Sequence, residues 1–240
     1  MKPVVRPYSD RAQLEQALVA ALKPLVTPGG PDNRGESDAD SASFAVMLSG
    51  GSTPIPAYRT LATQTSSSRP GLHILFSDDR YVPVTSDASN YFQTRPLIEA
   101  LKLDEQHLLR VRTELPLREA VADYAQQVAG LAERRVPMPL ALVGLGADGH
   151  TCSLFSKADL GRARDADAIA VVRPDGRNAV SVTPRVLERA DLVVFVVSGA
   201  DKQTAVRALV NQDPAQTAWS AVSRCRRVEV WGDGAALGNL

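Results

Sequence analysis

Short apolar runs closed by glycine or polar turns alternate along this chain with stretches whose apolar residues recur every three or four positions. The runs Phe44–Leu48, His73–Phe76, Leu140–Val143, Ala168–Val172, Val180–Thr183, Leu192–Val197 and Arg227–Trp231 predict strands. The run Leu192–Val197 (LVVFVV) is wholly apolar, as in a sheet buried on both faces. Helical spacing links Leu14, Leu18, Leu22 and Leu25 after a start at Ser9 or Asp10, and Pro24 predicts an end near Lys23. A second helix starts at Pro54 or Pro56 and carries Tyr58 and Leu61. A third runs from Asp87, Ser89 or Asn90 to about Leu101. A fourth carries Leu117, Val121, Tyr124, Val128 and Leu131, and a late one Val206, Leu209 and Val210. Pro28–Ser43, Thr63–Gly71 and Ser156–Asp167 read as polar loops, the first a flexible surface loop. The alternation predicts a Rossmann-like, doubly wound α/β fold: a largely parallel sheet with helices on both faces and a ligand edge at the strand C-termini.

Composition narrows the classes. With 240 residues, 44% hydrophobic and 22% charged, one α/β domain spanning 1–240 is expected. Lys plus Arg and Asp plus Glu number 27 each, so the formal net charge is zero. That supplies no general drive toward nucleic acid or an anionic membrane. Arg224, Arg226 and Arg227 read as a solvated face. The two cysteines imply no disulfide framework, and a reducing cytoplasm fits. The first residues hold no apolar leader segment, and no run reaches transmembrane length.

The chemistry concentrates in Pro139–Phe155, PLALVGLGADGHTCSLF. A strand running into a glycine turn places Asp148 and His150 just beyond a strand end. Histidine ordinarily titrates near pH 6.5, which suits proton transfer at neutrality. Thr151–Phe155 can begin a helix, which Asp148 would cap. Gly144–Gly149 also matches the dinucleotide pattern G-x-G-x-x-G, but no long helix follows it, which disfavours a nicotinamide site. Cys152 lies at i+2 from His150, where side chains on a helix do not face each other, so it reads as a small buried thiol. After the strand Phe44–Leu48, the turn Ser49-Gly50-Gly51-Ser52-Thr53-Pro54 enters a helix, a geometry that presents N–H groups to a phosphate. It is no Walker loop, since no Gly-Lys-Ser/Thr follows. Asp78, Asp79 and Arg80 close another strand, and Lys202 opens the helix after Ser198-Gly199-Ala200-Asp201. Taken singly, each of these also reads as a plain solvated turn.

In this order the blocks Leu48–Pro54, Asp78–Pro83 with Ser89 and Asn90, Gly144–Phe155 and Ser198–Lys202 resemble the 6-phosphogluconolactonase family, over about residues 44 to 232. The resemblance implies a Rossmann-like sandwich related to glucosamine-6-phosphate deaminase and ribose-5-phosphate isomerase. It implies hydrolysis of 6-phospho-glucono-δ-lactone in the pentose phosphate pathway, without cofactor or required metal, by a cytoplasmic monomer or homodimer. The implied catalytic set is His150 as general base with Asp148, Arg80 and Asp78. The implied phosphate set is Gly50, Gly51, Ser52, Thr53 and Lys202. The sister deaminases carry a glutamate five residues after the histidine, where this chain has Phe155. A non-catalytic sugar-phosphate-binding protein is the remaining alternative. Two positions depart from the family pattern. Asp79 replaces a glutamate, and the family's arginine falls on Ala179. Arg177, two residues earlier on the same strand face, is the expected substitute.

Overall fold

A computed structural model describes residues 2–29 and 43–240. Its strands are β1 (Val4–Tyr8), β2 (Phe44–Leu48), β3 (Leu72–Phe76), β4 (Asp78–Arg80), β5 (Leu108–Leu109), β6 (Leu140–Val143), β7 (Ala168–Val172), β8 (Asn178–Val182), β9 (Val193–Val197) and β10 (Val228–Asp233). Its helices are α1 (Arg11–Val26), α2 (Ile55–Thr63), α3 (Asn90–Leu101), α4 (Leu117–Glu133), α5 (Lys157–Arg162), α6 (Pro184–Leu187), α7 (Gln203–Val210), α8 (Thr217–Val222) and α9 (Gly234–Leu237).

Successive side chains of a strand point to opposite faces. In β9, Val193, Phe195 and Val197 enter one core, while Val194 and Val196 enter the other. In β2, Ala45 and Met47 join the first core and Phe44, Val46 and Leu48 the second. Helices α1, α2 and α3 cover the second core; α4, α6, α7 and α8 cover the first. Double coverage explains why these strands are unbroken apolar runs, each large side chain contributing roughly 1.5–3 kcal/mol on burial.

The main sheet has seven strands in the order β1-β10-β9-β6-β2-β3-β5, and every neighbouring pair is parallel. The chain adds β3 and β5 on one side of β2, then returns to place β6 on the other and builds outward through β9 and β10. The reversal lies between β2 and β6. There the two connections leave in opposite directions and open a crevice beyond the strand C-termini.

A second, antiparallel sheet of three strands, β4-β8-β7, lies beside this edge and was not foreseen. Its β4 is the segment expected only to close the strand before it. Three polar residues carry no strand pattern; their pairing with β8 supplies it. Other boundaries moved as well. Helix α1 continues through Pro24 to Val26, because Val26 is fully buried and Thr27 closes the last turn onto the Lys23 carbonyl. Packing there outweighs the hydrogen bond that proline forgoes. Thr151–Phe155 starts no helix. The helix comes later, as α5, inside the stretch expected to be loop, with Ser156 and Asp159 forming a reciprocal cap. The edge strands β1 and β5 were not anticipated, and residues 30–42 of the expected Pro28–Ser43 loop lie outside the described residues.

Candidate active site

The connections after β2, β6 and β9 converge with β4 on a cleft of about 250 Å3 at the reversal. Of the residues expected from sequence, Gly50, Gly51, Ser52, Thr53, Asp78, Arg80, His150 and Lys202 line it. Asp148 stands behind His150, and Arg177 is elsewhere.

The turn after β6 is closed on itself. Gly146 N–H donates to the His150 carbonyl, Gly149 N–H to the Gly146 carbonyl, and Thr151 Oγ1 to the Gly144 carbonyl. Asp148 Oδ1 lies 2.5 Å from His150 Nδ1 and accepts the His150 backbone N–H at 3.3 Å. Burial pulls the Asp148 carboxyl upward, but the hydrogen bonds from His150 outweigh it and hold the group below the ordinary carboxylate range. A carboxylate can only accept, so Nδ1 carries a proton, and in the neutral imidazole the lone pair is on Nε2. Asp148 therefore orients the imidazole instead of capping a helix. A Cβ at residue 146 would stand 2.1 Å from His150 Nδ1 and 2.3 Å from Asp148 Oδ1, so the pair requires glycine there. The Phe155 ring packs against the imidazole with centroids 4.3 Å apart. Asp159 holds Phe155 through its backbone N–H. Cys152 is buried, and burial pushes its thiol far above the ordinary range, which removes it as a nucleophile.

The turn after β2 is built the opposite way. Among the described residues, the N–H groups of Gly50, Gly51, Ser52 and Thr53 donate to no protein acceptor. Pro54 and Pro56 open α2, and Tyr58 Oη ties the helix back to the Ser49 carbonyl at 3.1 Å. Ser49 lines the cleft, and among the described residues its buried Oγ makes no hydrogen bond. A buried hydroxyl left unpaired costs on the order of 1–3 kcal/mol unless a ligand satisfies it. Arg11 braces the turn by donating to the Ser52 carbonyl.

Strand β4 contributes two side chains to the cleft from one face. Asp78 is buried and accepts from Ser77 Oγ at 2.8 Å and from Ser153 Oγ at 2.5 Å. Ser153 N–H in turn donates to Ser181 Oγ of β8. Asp78 thus clamps the base-bearing turn to the small sheet and spends both carboxylate oxygens doing so. Arg80 Nη1 donates to Asn90 Oδ1 at 2.6 Å and to the Ala88 carbonyl at 3.0 Å. From the sequence Asn90 was a helix-start candidate and a member of the block that carries the resemblance, with no role of its own. In the fold it aims Arg80, and a Cβ on Gly50 would fall 1.9 Å from its Oδ1. Asp79 points the other way, into the start of α3, where it accepts from Arg80, Asn90 and Tyr91 N–H and from Ser89 Oγ. Burial nevertheless pushes its carboxyl up to about 6, against those donors. Its role is to seat Arg80 and α3.

Lys202 stands at the N-cap of α7. A cation at that end opposes the helix dipole, so the position favours a bound anion over local stability. Asp233, unmarked in the sequence, fixes this loop by accepting from Ser198 Oγ at 2.5 Å and Gly199 N–H at 3.2 Å.

The expected role of Arg177 is corrected. It sits in the β7–β8 turn, half-exposed, where Asp175 takes its Nη2 at 2.7 Å and its backbone N–H at 3.1 Å. Arg177 keeps the strand phase, opposite Arg173 across the hairpin, but Asp175 holds its guanidinium in the turn. Arg173, which the sequence reading passed over, lines the cleft instead. Its phase was readable, two residues beyond Val171 on one strand face. Among the described residues, no cluster of three or more His, Cys, Asp or Glu side chains could hold a metal ion, and no helix is long and apolar enough to cross a membrane.

Comparison with known proteins agrees with this architecture. The family profile described as glucosamine-6-phosphate isomerases/6-phosphogluconolactonase matches residues 33–231. A 6-phosphogluconolactonase of Thermotoga maritima is 30% identical over 173 residues, 70% of this chain and 76% of that protein. One of Treponema pallidum is 31% identical over 193 residues, 78% and 80% of the two chains. The crystal structure of the Thermotoga maritima 6-phosphogluconolactonase superposes with a TM-score of 0.74 at 25% identity, covering 97% of this chain and 99% of that one. A monomeric glucosamine-6-phosphate deaminase shares the fold, with a TM-score of 0.76 at 14% identity over 97% of this chain and 98% of that one. The chain therefore belongs to the family of glucosamine-6-phosphate isomerases and 6-phosphogluconolactonases.

Proposed function

We propose that this protein hydrolyses 6-phospho-D-glucono-1,5-lactone to 6-phosphogluconate, in the pentose phosphate pathway. The observation that carries the reading is one cleft that holds an oriented imidazole, His150, and a set of unpaired N–H groups at Gly50–Thr53 with Lys202. Free N–H groups at a helix start, joined by a lysine, suit a phosphoryl group. They leave the far end of a sugar-sized ligand beside the imidazole. His150 Nε2 takes a proton from a water as that water adds to the lactone carbonyl carbon. The oxyanion is held by Arg80, whose Nη1 is aimed by Asn90, with backbone N–H groups. The tetrahedral intermediate then breaks its C1–ring-oxygen bond, and the imidazolium returns the proton to the departing oxygen. Asp148 stabilises the imidazolium, and Asp78 holds the turn in place. One residue serving as base and then acid is worth roughly 10²–10⁴-fold.

Phe155 disfavours the deaminase alternative: an apolar ring occupies the place of the carboxylate that assists ring opening, and it packs on the base. The intact His150–Asp148 pair weighs against a binding protein without turnover. The reading takes the whole chain, 1–240, as one catalytic domain, acting in the cytoplasm as a monomer or homodimer. The free, buried cysteines Cys152 and Cys225 suit a reducing compartment. The deciding experiment is a pH-stat assay on freshly made 6-phosphogluconolactone, with glucosamine 6-phosphate as control. Acid release well above the spontaneous rate, and no ammonia from the amino sugar, is expected. Ammonia release, or no acceleration of lactone opening, would replace this reading.

A further inference from the structure

Besides Arg80 and Lys202, the cleft is lined by a third cation, Arg173. The register of the small sheet shows why. Arg80 pairs with Ala179 across β4 and β8, and Ala179 pairs with Val171 across β8 and β7. Directly opposed residues share a face, as do residues two apart on one strand. Arg80, Ala179 and Val171 therefore point the same way, and the next residue of β7 in phase is Arg173. The strand pairing extends that far, because Arg173 N–H donates to the Arg177 carbonyl. Diagonal neighbours on a sheet face lie roughly 7–8 Å apart, within reach of a long side chain.

Other contacts aim Arg173 at the cleft. Its guanidinium carbon lies 5.4 Å from the Phe155 ring centroid, on the ring that also packs against His150. Among the described residues, its only carboxylate contact is a long one, 3.5 Å from Nε to Asp175 Oδ2. Asp175 is engaged more closely by Arg177. The side chain is 17% exposed, against 54% for Arg177. Arg80, by comparison, has Nη1 taken by Asn90 and Ala88.

We infer that Arg173 supplies a second cation, with Lys202, to the phosphate subsite. This rests on the reading of the Gly50–Thr53 turn as the phosphate site.

The test compares Arg173→Ala and Arg173→Lys with wild type on two substrates, 6-phosphogluconolactone and unphosphorylated glucono-δ-lactone. A charge-assisted contact to phosphate predicts a roughly 10- to 100-fold rise in KM for the phosphorylated lactone on Arg173→Ala, and a smaller rise on Arg173→Lys. On glucono-δ-lactone, kcat/KM should stay within about twofold of wild type, which also certifies the fold of the variants. Arg177→Ala should match wild type on both substrates. Equal losses on the two lactones, or no loss on either, would overturn the assignment. If wild type itself fails to prefer the phosphorylated lactone, the phosphate reading beneath it falls. If wild type prefers it and Arg173→Ala keeps the same preference, only the Arg173 proposal falls.

Discussion

Two glycine turns face each other across the cleft, and they use their backbone in opposite ways. Both follow a buried strand, and both carry two glycines among their first four residues. After β6, the N–H groups of Gly146 and Gly149 are consumed inside the turn. The result is a rigid mount for one side chain, His150, aligned by Asp148. After β2, the N–H groups of Gly50–Thr53 are unspent, and the buried Ser49 hydroxyl is unpartnered. The result is a receptor for an anion. A glycine-rich strand end is thus not one kind of site. What decides its chemistry is where its hydrogen bonds go.

The sharpest way to break this comparison is to remove the side chain that the first turn exists to hold. His150→Ala should lower kcat by roughly 10²–10⁴-fold with KM little changed, in steady-state assays on a variant whose circular dichroism matches wild type. Near-normal turnover would take the base assignment away. Next in size is Gly146→Ala. A methyl group 2.1 Å from Nδ1 must displace the imidazole. Misplacing a catalytic group by an ångström costs about 100-fold, and the loss should fall on kcat equally for phosphorylated and plain lactones. Lys202→Ala acts on the other turn and should raise KM about tenfold or more for the phosphorylated lactone, leaving glucono-δ-lactone unaffected. A variant that loses both substrates alike would show that the two turns are not separable.

The smallest effect concerns the piece that joins them. Asp79 seats Arg80 and α3, and burial pushes its carboxyl up to about 6. Between the ordinary carboxylate pKa, about 4, and that value, the folded chain keeps a proton that the unfolded chain has lost. Its contribution to stability is therefore full below pH of about 4 and is lost as pH rises through about 6. Urea midpoints at pH 4 and pH 7 should show wild type losing more stability across this interval than Asp79→Asn. Parallel losses would mean that the four donors around Asp79 keep it ionised throughout.

The alternation of apolar runs and helical spacing, read without any coordinates, was enough to place most of the sheet, its two covered faces and its ligand edge. These follow from local periodicity, because a strand buried on both sides has no choice of composition. The blocks that carry His150, the Gly50–Thr53 turn, Arg80 and Lys202 were legible for the same reason: each is short and ends a strand. Pairing over distance was not legible. The clamp from Ser153 to Asp78 joins residues 75 positions apart, and β4 becomes a strand only because β8 lies beside it. Asn90 gained its hold on Arg80, and Asp233 its hold on the Lys202 loop, only when the chain closed. Arg177 and Arg173 sit four positions apart in one hairpin, and composition cannot rank them. The two oppose each other across that hairpin; Asp175 holds the guanidinium of Arg177 in the turn, and Arg173 lines the cleft. The order of residues settles which side chains must be buried. Which of the remaining polar groups meet depends on strand register and turn geometry, and those are set by contacts between segments the chain keeps far apart.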